Sequence, residues 1–292
     1  VSALAEVLGR GAKDSPARRE TLRKIDAEAT FRDPAGQLLL TPTHALRRIH
    51  PSAVEHTLDF LASPLRASLE RSGDLVTTEI AHPEMPPSLS ATIPAPDAEP
   101  PSLWLQSPRI DPISYPWEWT TAQWQAAADL TLRLAAQAFT AGWTLKDATP
   151  LNIVFAGARP ILVDVLSFER RQLDSTVWLA YGQFVRTFLL PLVAERFLGW
   201  PLQATLLFRD GYEPSAIYRA LSPWQRFNPN LLDVVTLAAL FEGRNGGSSS
   251  PASRVSKAAD PELATHILHR RIARLVRQIH KLAMPHRRSR WS

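Results

Sequence analysis

Leu145-Lys146-Asp147-Ala148-Thr149-Pro150-Leu151-Asn152-Ile153-Val154-Phe155, with Ile161-Leu162-Val163-Asp164 behind it, carries more chemistry than any other part of the chain. It reads as a polar loop entering two short apolar strands. Asn152 opens the first strand and Asp164 closes the second. Ala156-Gly157-Ala158-Arg159-Pro160 makes the turn, where Gly157 is free to take a positive φ. A hairpin of this kind returns Asp164 to the end where Asn152 stands, and Asp147 lies five residues before Asn152. One tight loop can then present all three side chains to one space. An aspartate can orient an attacking hydroxyl and accept its proton. An asparagine oxygen and a second aspartate can hold Mg²⁺ against phosphate oxygens, because hard cations take oxygen ligands. The plain alternative is a buried hairpin with a capped loop.

The pattern Asp147-x4-Asn152, with Asp164 on the following strand, resembles the catalytic and metal-binding segments of the protein-kinase-like superfamily, which includes the aminoglycoside phosphotransferases. The resemblance implies Asp147 as the catalytic-loop base, and Asn152 and Asp164 as metal ligands. Lys146 stands where many kinases have Arg and is grouped with the nucleotide-binding residues. Asp164-Val165-Leu166 lacks the Phe-Gly that usually follows the metal-binding Asp. The implied fold is α+β, protein-kinase-like and bilobal. A small β-rich N-lobe and a larger helical C-lobe would be followed by a C-terminal basic amphipathic helix. ATP and Mg²⁺ are the implied cofactors.

A longer similarity covers roughly residues 30 to 292. Ile113-Ser114-Tyr115-Pro116-Trp117-Glu118-Trp119, Thr144-Leu145-Lys146-Asp147-Ala148, Val163-Asp164-Val165-Leu166-Ser167-Phe168-Glu169 and Trp178-Leu179-Ala180-Tyr181 resemble the N-terminal half of a bacterial family labelled SAM-dependent methyltransferases. In that family a separate methyltransferase domain follows this half. No G-x-G-x-G turn after a strand is present here to hold SAM, so SAM and methyl transfer are expected only through a missing domain or partner.

Composition sets outer bounds. The 292 residues suffice for one large domain or two small ones, and 45% are hydrophobic, enough for a sizeable core. There are no cysteines, which excludes disulfides, thiolate zinc sites and Cys nucleophiles, and fits a reducing, cytoplasmic setting. The net charge of +5 could favour acidic partners. Much of it lies near the two ends, and without a reader motif it does not single out nucleic acid. The longest apolar stretch, 188–208, is broken by Glu195-Arg196 and prolines, so no transmembrane segment is expected.

In chain order, residues 1–28 form a charged arm and 29–112 the N-lobe. Phe31 to Ile49 reads as a β-hairpin turning at Asp33-Pro34-Ala35-Gly36. In a kinase-like lobe it would cover the nucleotide, yet Gly36 is its one glycine. On the second strand Arg47 or Arg48 could pair with Glu55 on the helix Ser52 to Leu61. Alternation from Ile49 selects Arg47. Ser63 to Ser72 reads as helix and Asp74 to Ala81 as a strand. The Pro-rich stretch 83–101 is a solvated loop, and Leu103-Trp104-Leu105 restarts a strand.

Residues 113–242 form the C-lobe. Tyr115, Trp117 and Trp119 offer either a stacking surface or simple packing. Thr120 to Ala141 is a buried helix capped by Thr120 or Thr121 and ended by Gly142. Glu169 is expected to pair with an arginine. Trp178 to Phe197 is a long apolar helix interrupted near Pro191, with further helices over Pro201 to Arg209, Ser215 to Leu221 and 222–240. Residues 243–259 form a linker. In 260–292, Asp260-Pro261-Glu262 starts a basic amphipathic helix suited to docking on a partner domain. The expected function is ATP- and Mg²⁺-dependent phosphotransfer to a small-molecule or glycan acceptor. The alternative is a catalytically idle binding or regulatory module of a methyltransferase.

Overall fold

The structure is a computed structural model that describes residues 36–40, 43–81, 103–208, 210–229, 231–240 and 260–282. The charged arm, the Asp33-Pro34-Ala35 part of the first turn, the Pro-rich loop and the 243–259 linker lie outside the described residues. The chain divides into two compact units, Val1–Glu55 with Thr77–Arg109, and His56–Val76 with Ile110–Ser292. It mixes helix and strand.

The first unit is a four-stranded antiparallel sheet. Its strands are β1 (Gly36–Leu40), β2 (His44–Ile49), β3 (Glu79–Ala81) and β4 (Leu103–Pro108), in the order β1-β2-β4-β3. Leu46, Ile49, Leu103, Trp104 and Leu105 are its buried apolar residues. Gly36 is a strand residue opposite Ile49, not part of the turn. The connection from β1 to β2 is Thr41-Pro42-Thr43 instead. The strand runs through the apolar stretch Leu38-Leu39-Leu40.

The expected strand Asp74 to Ala81 splits in two. Glu79–Ala81 pairs with β4, while Leu75 bridges in parallel to Leu162 in the second unit. In the first unit, the hydroxyls of Thr78 and Ser107 lie 3.1 Å apart.

The second unit opens with α1 (Val54–Leu61, from His56 onward) and α2 (Pro64–Ser72). Ser63 caps α2 and accepts from the Arg66 N–H at 3.1 Å. Phe60 stacks on Phe168 at 4.3 Å and meets Trp143 edge-on at 5.2 Å. These ring contacts explain why most of α1, expected with the strands of the small lobe, belongs to the second unit.

The spine of this unit is α3 (Thr121–Thr140). Thr120 and Gln123 form the capping box at its start. Trp124, Ala127, Leu130, Leu134, Ala135 and Ala138 along it are fully buried. Short strands follow: β5 (Trp143–Leu145), β6 (Ile153–Ala156), β7 (Arg159–Leu162) and β8 (Phe168–Arg170). β5 pairs with β8 and β6 with β7, both antiparallel.

The long apolar helix runs as α4 (Tyr181–Phe184), a π turn over Val185–Leu189, and α5 (Leu190–Leu198). Pro191 has no N–H to give to residue 187, and the backbone widens just before it. Pro201 to Arg209, expected as helix, is a 3-10 helix over Leu202–Leu207. The helix expected over Ser215 to Leu221 forms as α6 (Pro214–Ala220), whereas the one expected over 222–240 gives way to α7 (Pro223–Arg226) and a π turn over Leu232–Leu237.

The last helix, α8 (Pro261–Lys281), begins as its sequence indicates, with the Asp260 carboxylate accepting from the Glu262 N–H at 2.9 Å. It packs along α3 through Ala264, Leu268, Ile272, Leu275 and Ile279, all buried. Arg171 donates to Thr265 Oγ1 at 2.7 Å, and Arg271 donates to the Thr176 carbonyl at 3.0 Å. No helix among the described residues is long and apolar enough to cross a membrane.

Candidate functional site

The polar loop between β5 and β6 is fixed along its backbone. Leu145 sits opposite Phe168, and its buried carbonyl accepts from the Trp178 indole N–H at 2.8 Å. The Lys146 N–H donates to the Ser167 carbonyl at 2.8 Å. The Ala148 N–H donates to Gln183 Oε1 at 2.6 Å, and the Ala148 carbonyl accepts from the Thr187 hydroxyl at 3.2 Å. Thr149 then caps a 3-10 turn over Pro150–Asn152, its hydroxyl accepting from the Leu151 N–H at 3.3 Å. Asp147, between these anchors, is half-buried. A loop with its backbone groups tied to four side chains or strands has little freedom to move its one acidic residue.

The hairpin forms at the expected place. Ile153 faces Leu162 and Ala156 faces Arg159, with Gly157 at φ 62 in the turn. Asn152 ends the 3-10 turn just before β6. Its carbonyl accepts from the Val163 N–H at 2.9 Å. Asp164 starts the next 3-10 turn, Val165–Ser167, as its cap: Oδ1 accepts from the Leu166 N–H at 2.9 Å.

Ser167 connects the two candidate ligands. Its hydroxyl donates to Asp164 Oδ2 at 3.1 Å and accepts from Asn152 Nδ2 at 3.0 Å. The loop carrying Asp147, the asparagine and the second aspartate are therefore joined through one fully buried serine. The donor set fits a hard divalent cation. The amide's geometry turns Asn152 Oδ1 away from Ser167, and the Asp164 carboxylate oxygens can each take more than one partner. Among the described residues no group of three or more His, Asp or Glu side chains gathers as a metal site.

The other candidates fall elsewhere. Arg47 lies mid-strand in β2, opposite Leu38 and Leu105. Glu55 is exposed near the start of α1. No ion pair joins Arg47 to Glu55 among the described residues. Glu169, expected to pair with an arginine, has no such pair among them either. The neighbouring arginines turn elsewhere: Arg170 makes a two-pronged pair with Asp59 at 2.6 Å, and Arg171 bonds the carbonyls of Leu173 and Ser175.

Of the three aromatics in the 113–119 segment, Trp119 is buried and donates to the Ser114 carbonyl at 3.1 Å. Tyr115 and Trp117 stack on each other at 4.5 Å and stay 39% and 54% exposed. The first is plain packing, while the second pair keeps open aromatic surface.

Sequence reasoning missed Ser167, Gln183 and Thr187 as site residues. Ser167 had a local cue, because it stands three residues past an aspartate that caps a turn. Gln183 and Thr187 share a helix face by their spacing, but nothing in the sequence says that this face meets Ala148.

No protein-family model matches the chain. It is similar to the nodulation protein NoeA of Rhizobium meliloti (strain 1021), with 32% identity over 165 residues, which are 56% of this chain and 32% of that protein. Among solved structures it is similar to that of vaccinia related kinase 3, with a TM-score of 0.38, 13% sequence identity and coverage of 86% of this chain and 85% of that one. The chain spans about a third of the length of the NoeA protein it matches.

Proposed function

We propose that this chain is a kinase-like phosphotransfer module. Asp147 orients the acceptor hydroxyl and takes its proton. Asn152 and Asp164 hold Mg²⁺, and Lys146 faces the phosphates of ATP. The ion, when bound, neutralises charge on the phosphate oxygens. The acceptor is a small molecule or a glycan. A methyltransferase domain or partner, which alone would bring SAM, accompanies the module. The cysteine-free composition suits a cytoplasmic location.

One observation supports this reading above the others. The Lys146–Asp147 loop, Asn152 and Asp164 are all bonded to Ser167. Mg-ATP should raise the melting temperature, since a ligand of the native state stabilises it. Asp147→Ala should abolish ATP turnover while keeping the fold. Turnover unchanged in that variant would remove Asp147 from its role.

A second reading is favoured by the β1–β2 connection. Thr41-Pro42-Thr43 has no glycine, and its proline has no N–H, so few backbone donors are available there to approach phosphate. On this reading the module is catalytically idle and positions or regulates a methyltransferase unit. Absence of any thermal shift with Mg-ATP would favour it.

A further inference from the structure

We infer that Ser167 is a positioning residue of the candidate site. Its hydroxyl decides which atom of the Asn152 amide is offered to the cation. The inference rests on the phosphotransfer reading and goes further into the same site.

A serine hydroxyl has one proton to donate and can accept in turn. The Asp164 carboxylate can only accept. The contact from Ser167 Oγ to Asp164 Oδ2, at 3.1 Å, therefore uses the serine's proton. Toward Asn152 the hydroxyl can then only accept, so the asparagine must present its NH₂ group, which lies 3.0 Å away. The amide is planar, and Oδ1 is left on the opposite side. The charge of Asp164 thus sets the direction of the serine proton, and the serine sets the direction of the amide. Without the hydroxyl, the two faces of the amide lose this distinction, and an N–H can turn to where a cation needs an oxygen.

Ser167 is placed for this by its backbone. Its N–H donates to the Asp164 carbonyl at 3.2 Å, and its carbonyl accepts from the Lys146 N–H at 2.8 Å. The side chain is fully buried, so water does not compete for the hydroxyl. A merely satisfied core hydroxyl would need one partner. This one joins two groups of opposite hydrogen-bonding character, both of them candidate ligands.

The test is a double-mutant cycle on the full chain, with Mn²⁺ titrated into ATP-loaded protein and free Mn²⁺ followed by electron paramagnetic resonance. Ser167→Ala removes one buried oxygen and should keep the fold, checked by far-UV circular dichroism. Its Mn²⁺ dissociation constant should rise about tenfold or more, as for other partners that orient metal ligands. In the Asn152→Asp background both side-chain atoms are oxygens and no orientation is needed, so Ser167→Ala should there have little effect. Wild-type Mn²⁺ affinity in Ser167→Ala, or an additive cycle, overturns the assignment and leaves the phosphotransfer reading standing. Wild-type protein that binds ATP yet takes up no Mn²⁺ overturns both.

Discussion

The indole N–H of Trp178 donates to the carbonyl of Leu145 at 2.8 Å, both groups buried, which ties the end of β5 to the segment leading into α4. Trp178→Phe would keep the aromatic packing on Phe139 and Phe184 but leave that carbonyl without its donor. An unsatisfied buried acceptor costs about 1–3 kcal/mol. Urea unfolding should show a loss of this size. A stability equal to wild type would mean that the carbonyl is satisfied some other way.

Arg170 predicts a pH effect. Its two hydrogen bonds to Asp59, assisted by the charge, hold that carboxyl below its ordinary range. A lowered native pKa gives stability that is present above the unfolded value, about 4, and is lost as pH falls through the native one. Asp59→Asn should therefore melt below wild type at neutral pH, with the gap closing as the solution is taken well below pH 4. The pair is exposed, so the gap should be small and should shrink with salt. A gap that widens in acid would show that the pair is not its source.

Two glycines should answer differently to alanine. Gly157 has φ 62 and open space around an added Cβ, so Gly157→Ala should cost only the left-handed backbone strain, about 1–2 kcal/mol. Gly211 has φ 77, and its Cβ would come within 2.6 Å of the Arg186 carbonyl oxygen. That carbonyl also accepts from the Tyr212 N–H at 3.1 Å, so the backbone there cannot simply step aside. Gly211→Ala should cost clearly more than Gly157→Ala in chemical denaturation. Equal costs would contradict the close approach.

Leu268 lies in the buried face of α8 against α3. Leu268→Ala should destabilise by about 2–5 kcal/mol through lost burial and the cavity left behind. Exposed Leu263, on the same helix, should tolerate alanine with little change. If both variants behave alike in denaturant, α8 is not docked through this face.

Much of the frame around the loop could be read from residue order alone. The buried positions of α3 recur at helical spacing, Thr120 marks its start, Gly157 marks the hairpin turn, and Asp260-Pro261 marks the start of α8. These cues are local, because each depends on residues within one turn of one another. The errors came where distant partners decide. Gly36 looked like a turn residue and is a strand residue, because the sheet continues past it to β2. Asp74 to Ala81 looked like one strand and divides, because its two ends find different neighbours. Ser167 looked incidental between Asp164 and Glu169. Its importance depends on Asn152, fifteen residues away, and on Lys146 across the β5–β8 pair.

The π turn over Val185–Leu189 has a consequence for how the helix can change. Gln183 precedes the wide turn and Thr187 lies within it, and both reach Ala148 in the acidic loop. Winding the same residues as regular α-helix would rotate everything beyond by about 100°, one residue's share of a turn. Leu192 and Val193 would swing out of the core, or the contacts to Ala148 would break. The surplus residue thus acts as a phase-setter: it lets one rod face the loop at its start and the interior at its end.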